Sequence, residues 1–184
     1  MRKITILTML IFCSFISFGQ SATPNSFLTF KLGMTLTDFQ TQNTDAREGS
    51  YWVLFSEIHT QGMKVYSVNR QTSSGDKVKI DCCFYNDKLA VISIEYDGWQ
   101  SGKAILDALK GKYGTYTSYD AFTWQDPLNK MSRKTEEVIW LKGNNILKFF
   151  YTQELGMVEL VFADKAVQDI LKAEKTKQNT SKIE

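Results

Sequence analysis

The sequence predicts an α+β fold in which two tandem modules, each a helix followed by four antiparallel strands, form one curved sheet with helices packed on one face. Three observations predict it: strand-like segments alternate apolar and polar residues, amphipathic helices flank them, and the whole pattern recurs. Strands of this kind bury one sheet face and leave the other available to solvent or to a partner.

The recurrence has a spacing of 66 residues and aligns Phe84 with Phe150 and Ile94 with Leu160. Because self-similarity at a fixed spacing indicates a repeated supersecondary unit, both copies are expected to fold alike. Ile94 and Leu160 are then expected in the core, and Ser93, on the opposite face, is expected to contribute little to stability. The predicted boundaries are residues 27–100 for the first module, 101–175 for the second and 176–184 for a flexible tail.

The first module is predicted to open with a short helix, because Thr35 is a favoured N-cap residue and Asp38 follows three positions later. Its strands are predicted at residues 51–58, 63–69, 78–85 and 89–96. Even-numbered apolar residues face the core in the last two strands, so the numbers of opposite residues must sum to an even value. This requirement favours a three-residue turn at Asn86, Asp87 and Lys88.

The second module is predicted to begin with a helix that is capped by Ser101 and ended by Gly114 as a left-handed stop. Its strands are predicted at residues 119–124, 137–142, 146–151 and 157–162, with a long polar connection over 125–135. Both faces of the 146–151 segment are apolar, so its buried side stays open at this point. A closing helix is expected to start at Asp164, with inward positions at Ala166, Val167, Ile170 and Leu171.

One short step in the first module carries a family resemblance. Gly33-Met34-Thr35, preceded by the apolar residues Phe27 and Phe30 and followed by a predicted helix, resembles the start of modules in the beta-lactamase inhibitor protein family. It is also similar to modules of the related outer-membrane assembly lipoproteins. The resemblance implies two modules joined in one continuous curved sheet, and no binding residue is carried over from it.

Residues 1–19 are interpreted as a signal peptide. Arg2 and Lys3 precede an apolar run that is shorter than the roughly 20 residues of a membrane span. Ser17 and Gly19 supply the small residues that signal peptidase requires for cleavage before Gln20. The expected location is periplasmic or extracellular, and no membrane span is expected after cleavage.

The charge balance bears on possible partners. The whole chain has 22 basic and 20 acidic residues, and loss of Arg2 and Lys3 leaves it formally neutral. Binding to nucleic acid depends on many contacts between Lys or Arg side chains and phosphates. The sequence therefore predicts no nucleic-acid partner.

Cys82 and Cys83 are neighbours in a predicted strand, so their side chains are expected to point to opposite faces. The favoured interpretation is two unbridged thiols, with Cys82 in the core and Cys83 on the other face, and a strained vicinal disulfide is the alternative. A catalytic pair of Cys83 with the single histidine, His59, is a further alternative to incidental residues. One histidine and two adjacent cysteines cannot complete a closed zinc site, so no metal and no cofactor are predicted.

The strand alternation also places Asp81 and Glu95 on the outward sheet face. A paired-carboxylate site is possible chemistry for two such acids, and the alternative is that both are ordinary solvated side chains.

Aromatic side chains are the strongest sign of a binding function, because Tyr and Trp bury large areas at low entropic cost. The candidate binding residues, taken from the strands and adjoining loops, are Tyr85, Tyr116, Trp124, Trp140 and Tyr151. The sequence favours an exported, non-enzymatic protein that binds another protein or an envelope component through its open sheet face. The alternative is a small secreted enzyme or small-molecule carrier with a pocket between sheet and helices.

Overall fold

The computed structural model describes residues 22–49, 62–125 and 130–180. The helices in these ranges are α1 (Leu36–Gln42), α2 (Gly102–Tyr113) and α3 (Lys165–Thr180), with a 3-10 turn at Gln153–Leu155. The strands of the first half are β1 (Ser26–Phe27), β2 (Phe30–Lys31), β3 (Arg47–Gly49), β4 (Lys64–Gln71), β5 (Lys77–Tyr85) and β6 (Lys88–Tyr96). Those of the second half are β7 (Ser118–Gln125), β8 (Ser132–Lys142), β9 (Asn145–Thr152) and β10 (Met157–Asp164).

Eight of these strands form one antiparallel sheet in the order β3-β4-β5-β6-β10-β9-β8-β7, and β1 with β2 forms a separate small hairpin. The two halves of the chain meet where β6 pairs with β10, and Ile94 lies opposite Leu160 at this junction. The predicted α+β class and the antiparallel sheet are confirmed.

Most predicted elements of the described ranges occupy their expected places. The strands predicted at residues 78–85, 89–96 and 157–162 are present, and Ile94 is fully buried. The polar connection predicted over 125–135 is shorter than expected, because β8 already begins at Ser132. The strand predicted at residues 51–58 and the signal peptide lie outside the described residues.

The β5–β6 turn differs from the prediction. Tyr85 pairs directly with Lys88, so the turn has two residues, Asn86 and Asp87, with positive φ angles of 49° and 55°. Positive φ at both turn positions is the conformation that matches the twist of a tight hairpin, and Asn and Asp tolerate it better than most residues. The predicted three-residue turn is therefore wrong.

The pairing of even-numbered core residues, on which that prediction was based, is nevertheless present. Cys82 faces Ile92 across the two strands, but the register shifts just before the turn, where Phe84 faces Leu89. Ala90 is the extra residue of a β-bulge, and a bulge changes the parity of pairing by one. The bulge therefore reconciles a two-residue turn with the predicted core faces.

Helix α1 begins as predicted and is tied to the β5–β6 turn. The Thr35 hydroxyl accepts a hydrogen bond from the Asp38 backbone N–H at 3.0 Å, as an N-cap does. The Gly33 N–H donates to the Leu89 carbonyl at 2.8 Å, and the Leu36 N–H donates to the Asp87 carbonyl at 2.9 Å. These bonds fix the Gly33-Met34-Thr35 step against the hairpin.

Helices α1 and α2 both contribute to one core cluster against the same sheet face. Phe39 from α1 and Leu109 and Tyr113 from α2 are buried in it. The sheet supplies the remaining side chains, among them Ile80, Cys82, Ile92, Ile94, Trp140, Leu147, Phe149, Leu160 and Phe162. Leu147 and Phe149 belong to this cluster, so the odd-numbered side of the 146–151 segment is the one that faces the helices.

The opposite sheet face, which we call the second face, is not open over its whole area. A smaller apolar cluster there includes Cys83, Val91, Phe150, Val161 and Ala163, all of them buried. Cys83 thus points to the predicted face and is buried there. Ser93 and Asp81 on this face are also buried. The small contribution to stability expected of Ser93 stays a prediction.

Helix α3 is longer and less buried than predicted. Asp164 caps it by accepting hydrogen bonds from the Ala166 and Val167 N–H groups, and the helix continues to Thr180, so the predicted tail at 176–184 is helical at least to that residue. Leu171 is buried as expected, whereas Ala166 is exposed and Ile170 is 45% exposed. No helix within the described ranges has the length and apolar character needed to span a membrane.

A first prediction concerns the packing of helix α2 against the sheet. A Cβ atom at Gly102 would lie 2.3 Å from the Tyr151 ring, whereas one at Gly111 in the same helix would have nothing within 4 Å. We expect Gly102→Ala to lower the free energy of unfolding by about 1 to 3 kcal/mol through overpacking. Gly111→Ala should raise it by up to about 1 kcal/mol, since alanine favours helix. Urea unfolding of both variants tests this, and equal effects would contradict the described contact.

A second prediction concerns the junction strand. Ile94→Ala should lower the free energy of unfolding by about 2 to 5 kcal/mol, because it removes a fully buried side chain from the core. Thr123→Ala on the exposed strand β7 is the control and should change it by no more than about 0.5 kcal/mol. A loss below 1 kcal/mol for Ile94→Ala, measured by urea unfolding, would be inconsistent with this core.

Candidate functional site

The five aromatic residues predicted to bind a partner do not form one site. Trp140 is 1% exposed and donates its indole N–H to the Gly114 carbonyl at 2.9 Å, so it belongs to the core and not to a binding surface. Tyr116 is partly exposed and packs edge-on against Trp140. Tyr151 is half-buried beneath the N-terminus of α2, where Gly102 approaches its ring. These three lie on the helix-bearing side.

Tyr85 and Trp124 lie on the second face but far apart. Alternation along β5 places Tyr85 on the face of Cys83, and Trp124 donates its indole N–H to the Thr135 hydroxyl. Their strands are five positions apart in the sheet, which corresponds to about 24 Å. Both side chains are half-buried, so neither is a freely exposed aromatic.

The structure brings other residues together in a groove at one end of the sheet, which we call the end groove. It has a volume of about 1060 Å³ and lies between the ends of β4 and β6, the start of β5 and the 3-10 turn. Its lining includes Asn69, Lys77, Lys79, Glu95, Asp97, Trp99, Leu155 and Met157. The register carries Lys79, Glu95 and Glu159 side by side across β5, β6 and β10, so Lys79 and Glu95 of the lining belong to the second face. Val78, which lies on the core side of β5, also lines the groove.

Trp99 lines the end groove and is 69% exposed, the largest exposure among the large hydrophobic residues of the described ranges. Its indole packs directly against Gly156 of the 3-10 turn. A Cβ atom added at Gly156 would lie only 2.3 Å from the ring. The Gln100 N–H also donates to the Gly156 carbonyl at 2.9 Å. The turn therefore fixes the position of Trp99 while most of the side chain stays accessible.

The charges around the end groove are partly neutralised by the chain itself. Arg70 donates to Asp45 at 2.7 and 3.0 Å, and this pair holds the pKa of the Asp45 carboxyl below its ordinary value. Lys79 donates to Asp81 at 3.0 Å. Within the described ranges no ion pair is present for Lys77, Glu95 or Asp97. The charges left for a ligand are therefore one cation and two carboxylates.

A buried carboxyl lies directly beside Glu95. Glu159 is 9% exposed and sits opposite Glu95 where β6 pairs with β10, and the Ser93 hydroxyl donates to it at 3.0 Å. Burial raises the pKa of Glu159 to about 7, against the lowering effect of the Ser93 hydrogen bond, and the nearby carboxylates of Glu95 and Asp81 add to the rise. Glu159 therefore changes charge near neutral pH.

Asp81 and Glu95 lie on the same face, as the sequence predicted. Asp81 is opposite Ser93 and Glu95 is opposite Lys79, so the two acids occupy diagonal positions on β5 and β6. Asp81 is 6% exposed and accepts hydrogen bonds from both the Ser67 hydroxyl and Lys79. These bonds tie Asp81 to Ser67 of β4 and to Lys79 of its own strand, and Glu95 is the more accessible member of the pair.

The cysteines are unsuited to nucleophilic chemistry. Cys82 and Cys83 are free and buried, and burial raises the pKa of both thiols. A thiol must ionise and be accessible to act as a nucleophile, so the predicted alternative of a Cys83 and His59 pair loses its nucleophile. His59 itself lies outside the described residues. In the part of the chain that the structure describes, no group of three His, Cys, Asp or Glu residues is arranged to hold a metal ion.

No protein-family model, curated protein or solved structure matches this chain.

Sequence reasoning did not select Trp99 or Glu159. Trp99 follows β6 in a loop that no strand pattern covers, although a tryptophan beside Gly98 in a predicted loop is a signal that could have been used. Glu159 interrupts the apolar segment 157–162, and a single acid within a strand that is otherwise buried is a recognisable candidate for a perturbed carboxyl.

A third prediction follows from the raised pKa of Glu159. A carboxyl whose folded-state pKa is raised from 4.5 to about 7 stabilises the fold fully below pH 4.5, and that contribution is lost as the pH rises through 7. Glu159→Gln keeps an oxygen acceptor for Ser93 and removes the titration. At pH 8 the variant should be more stable than wild type by roughly 3 kcal/mol, and the difference should approach zero near pH 4.5.

Urea unfolding of both proteins at several pH values between 4 and 8 measures this difference. Glu48→Gln is the matched control, because it removes an exposed carboxyl from the edge strand β3, which lies away from Glu159 in the sheet. Its stability relative to wild type should vary much less with pH. A difference between Glu159→Gln and wild type that stays constant from pH 4 to 8 would rule out the assigned titration.

Proposed function

We propose that the protein is an exported, non-enzymatic binding protein that holds a protein or an envelope component on its second sheet face. The observation that carries the proposal is the end groove, where Trp99 is fixed by the Gly156 turn and remains 69% exposed. Exposed aromatics with a fixed position are typical anchors of binding surfaces, because little entropy is lost when they are covered.

The different environments of the two sheet faces support this proposal. Helices α1 and α2 fill the core side, and Lys79 and Glu95 of the end groove lie on the other side. The buried apolar cluster around Cys83 and Val161 narrows the binding surface to one end of the second face. The function proposed here therefore concerns the end groove and not the face as a whole.

We propose further that the two halves are copies of one module, organised as in the beta-lactamase inhibitor protein family. In chain order, α1 precedes β3 to β6 and α2 precedes β7 to β10. Ile94 and Leu160, which the repeat spacing aligns, lie opposite each other at the β6–β10 junction, as residues next to a two-fold axis between the copies must. Export rests on the signal peptide predicted at residues 1–19.

A second candidate function is a small-molecule carrier, or an enzyme, that uses the same groove. The observation that favours it is Glu159, whose pKa of about 7 and position beside Glu95 would suit proton exchange with a bound molecule. Its burial and its bond to Ser93 place it behind the groove lining, which favours the binding protein over an enzyme.

A fourth prediction tests the binding function by affinity capture. Residues 20–184 serve as bait for the protein's own cell-envelope extract, together with two glycine variants. Gly156→Ala places a Cβ atom against Trp99, whereas Gly143→Ala strains a similar positive φ with nothing within 4 Å. Wild type and Gly143→Ala should retain the same component, and Gly156→Ala should retain several-fold less. Equal capture by both variants would exclude the end groove as the binding surface.

A further inference from the structure

We propose that the end groove binds an uncharged saccharide chain, with the Trp99 indole as the surface against which a sugar ring packs. This inference rests on the function proposed above and names its ligand class. Three features of the groove support it: a fixed exposed indole, a lining that combines apolar side chains with amides and charges of both signs, and a length greater than one small ligand needs.

The indole suits the apolar face of a sugar ring. Trp99 is held from one side by the Gly156 turn, and Leu155 and Met157 line the groove next to it. A sugar ring presents C–H groups on its face and hydroxyl groups around its edge. An indole beside polar side chains can therefore bind both parts at once, the face by contact and the edge by hydrogen bonds.

The polar lining suits hydroxyl groups better than it suits ions. Arg70 and Lys79 are already paired with Asp45 and Asp81, so an anionic polymer would find few available cations. The two remaining carboxylates, Glu95 and Asp97, would repel it. The positive charge of Lys77 would likewise repel a strongly cationic ligand. Carboxylates accept hydrogen bonds from hydroxyls, and amide and ammonium groups donate to them, so an uncharged polyhydroxyl ligand satisfies both kinds of group.

The lining also favours a saccharide over a lipid chain. Apolar side chains line the groove, among them Val78, Tyr96, Leu155 and Met157, and the same lining includes Asn69, Gln71, Lys77, Glu95 and Asp97. Covering these polar groups with hydrocarbon would leave them without hydrogen-bond partners, at a considerable cost in free energy. A ligand that carries hydroxyl groups beside its apolar faces therefore fits this mixed lining better than hydrocarbon does.

The size of the groove indicates several sugar rings. Its volume of about 1060 Å³ lies at or above the upper end of the range for drug-sized ligands, about 300 to 1,000 Å³. Its lining runs across β4, β5 and β6 to Met157 on β10, which corresponds to about 14 Å from strand to strand. A short oligosaccharide fills that span, whereas a monosaccharide does not.

A fifth prediction tests this ligand class by calorimetric titration of residues 20–184 with uncharged tetrasaccharides. The probes are the β-1,4-linked and α-1,4-linked tetramers of glucose, the β-1,4-linked tetramer of N-acetylglucosamine and a mannose tetramer. At least one should bind with a dissociation constant below 1 mM. Trp99→Ala should weaken that binding about tenfold, as loss of about 1.4 kcal/mol requires, whereas Trp99→Phe should retain most of it.

Two further variants separate the groove from the rest of the surface. Gly156→Ala should weaken the titration as Trp99→Ala does, while Gly143→Ala and Tyr119→Ala, an exposed aromatic on β7, should leave it unchanged. Thermal melts establish that each variant is folded. The proposal is overturned if no tetrasaccharide binds at 10 mM, or if binding survives Trp99→Ala unchanged. If the envelope capture depends on Gly156 and the tetrasaccharides still fail, the ligand class is wrong and the binding function stands.

Discussion

The pairing of β6 with β10 is the constraint on which the rest of the fold depends. It joins two runs of four strands into one sheet, and both of its strands are buried on their two faces over most of their length. Ile92 and Ile94 from β6 pack with Leu160 and Phe162 from β10 in the same core. Each half alone would leave one of these apolar strands as an open edge, which invites aggregation, and would have only part of the core. The junction therefore makes two marginal halves one stable domain.

The β5–β6 hairpin shows how local chemistry and core pattern are both satisfied. Asn86 and Asp87 adopt the positive φ angles of a tight two-residue turn, which by itself would offset the core faces of the two strands by one residue. The bulge at Ala90 restores the pairing of Cys82 with Ile92. The same hairpin then anchors the Gly33-Met34-Thr35 step, so the bulge also bears on where helix α1 begins.

The sequence predicts the elements well where one pattern dominates, as in the alternation of β5 and β6 or the cap at Thr35. It fails where two patterns compete or where tertiary contacts decide. The turn at Asn86 combines a tight loop with a bulge, and alternation alone could not show the bulge. The second face is buried around Cys83 although the strand pattern predicts exposure. The residue type of Trp140 suits binding, but its hydrogen-bond partner, the Gly114 carbonyl, is distant in sequence, so only the folded structure shows that Trp140 is a core residue. Residue type alone does not distinguish core aromatics from surface ones.

The end groove lies across the same junction that holds the two halves together. Glu95 comes from β6 and Asp97 directly follows that strand, whereas Met157 comes from β10 and Leu155 from the turn before it, and Trp99 packs against Gly156 of that turn. Glu159 sits behind this lining and faces Glu95 across the junction. A ligand in the groove would contact both halves and would stabilise their pairing by mass action. Ionisation of Glu159 would destabilise the same pairing, because it places a second negative charge beside Glu95 within a buried strand pair. A ligand in the groove and the ionisation of Glu159 would therefore act on the stability of the same pair of strands.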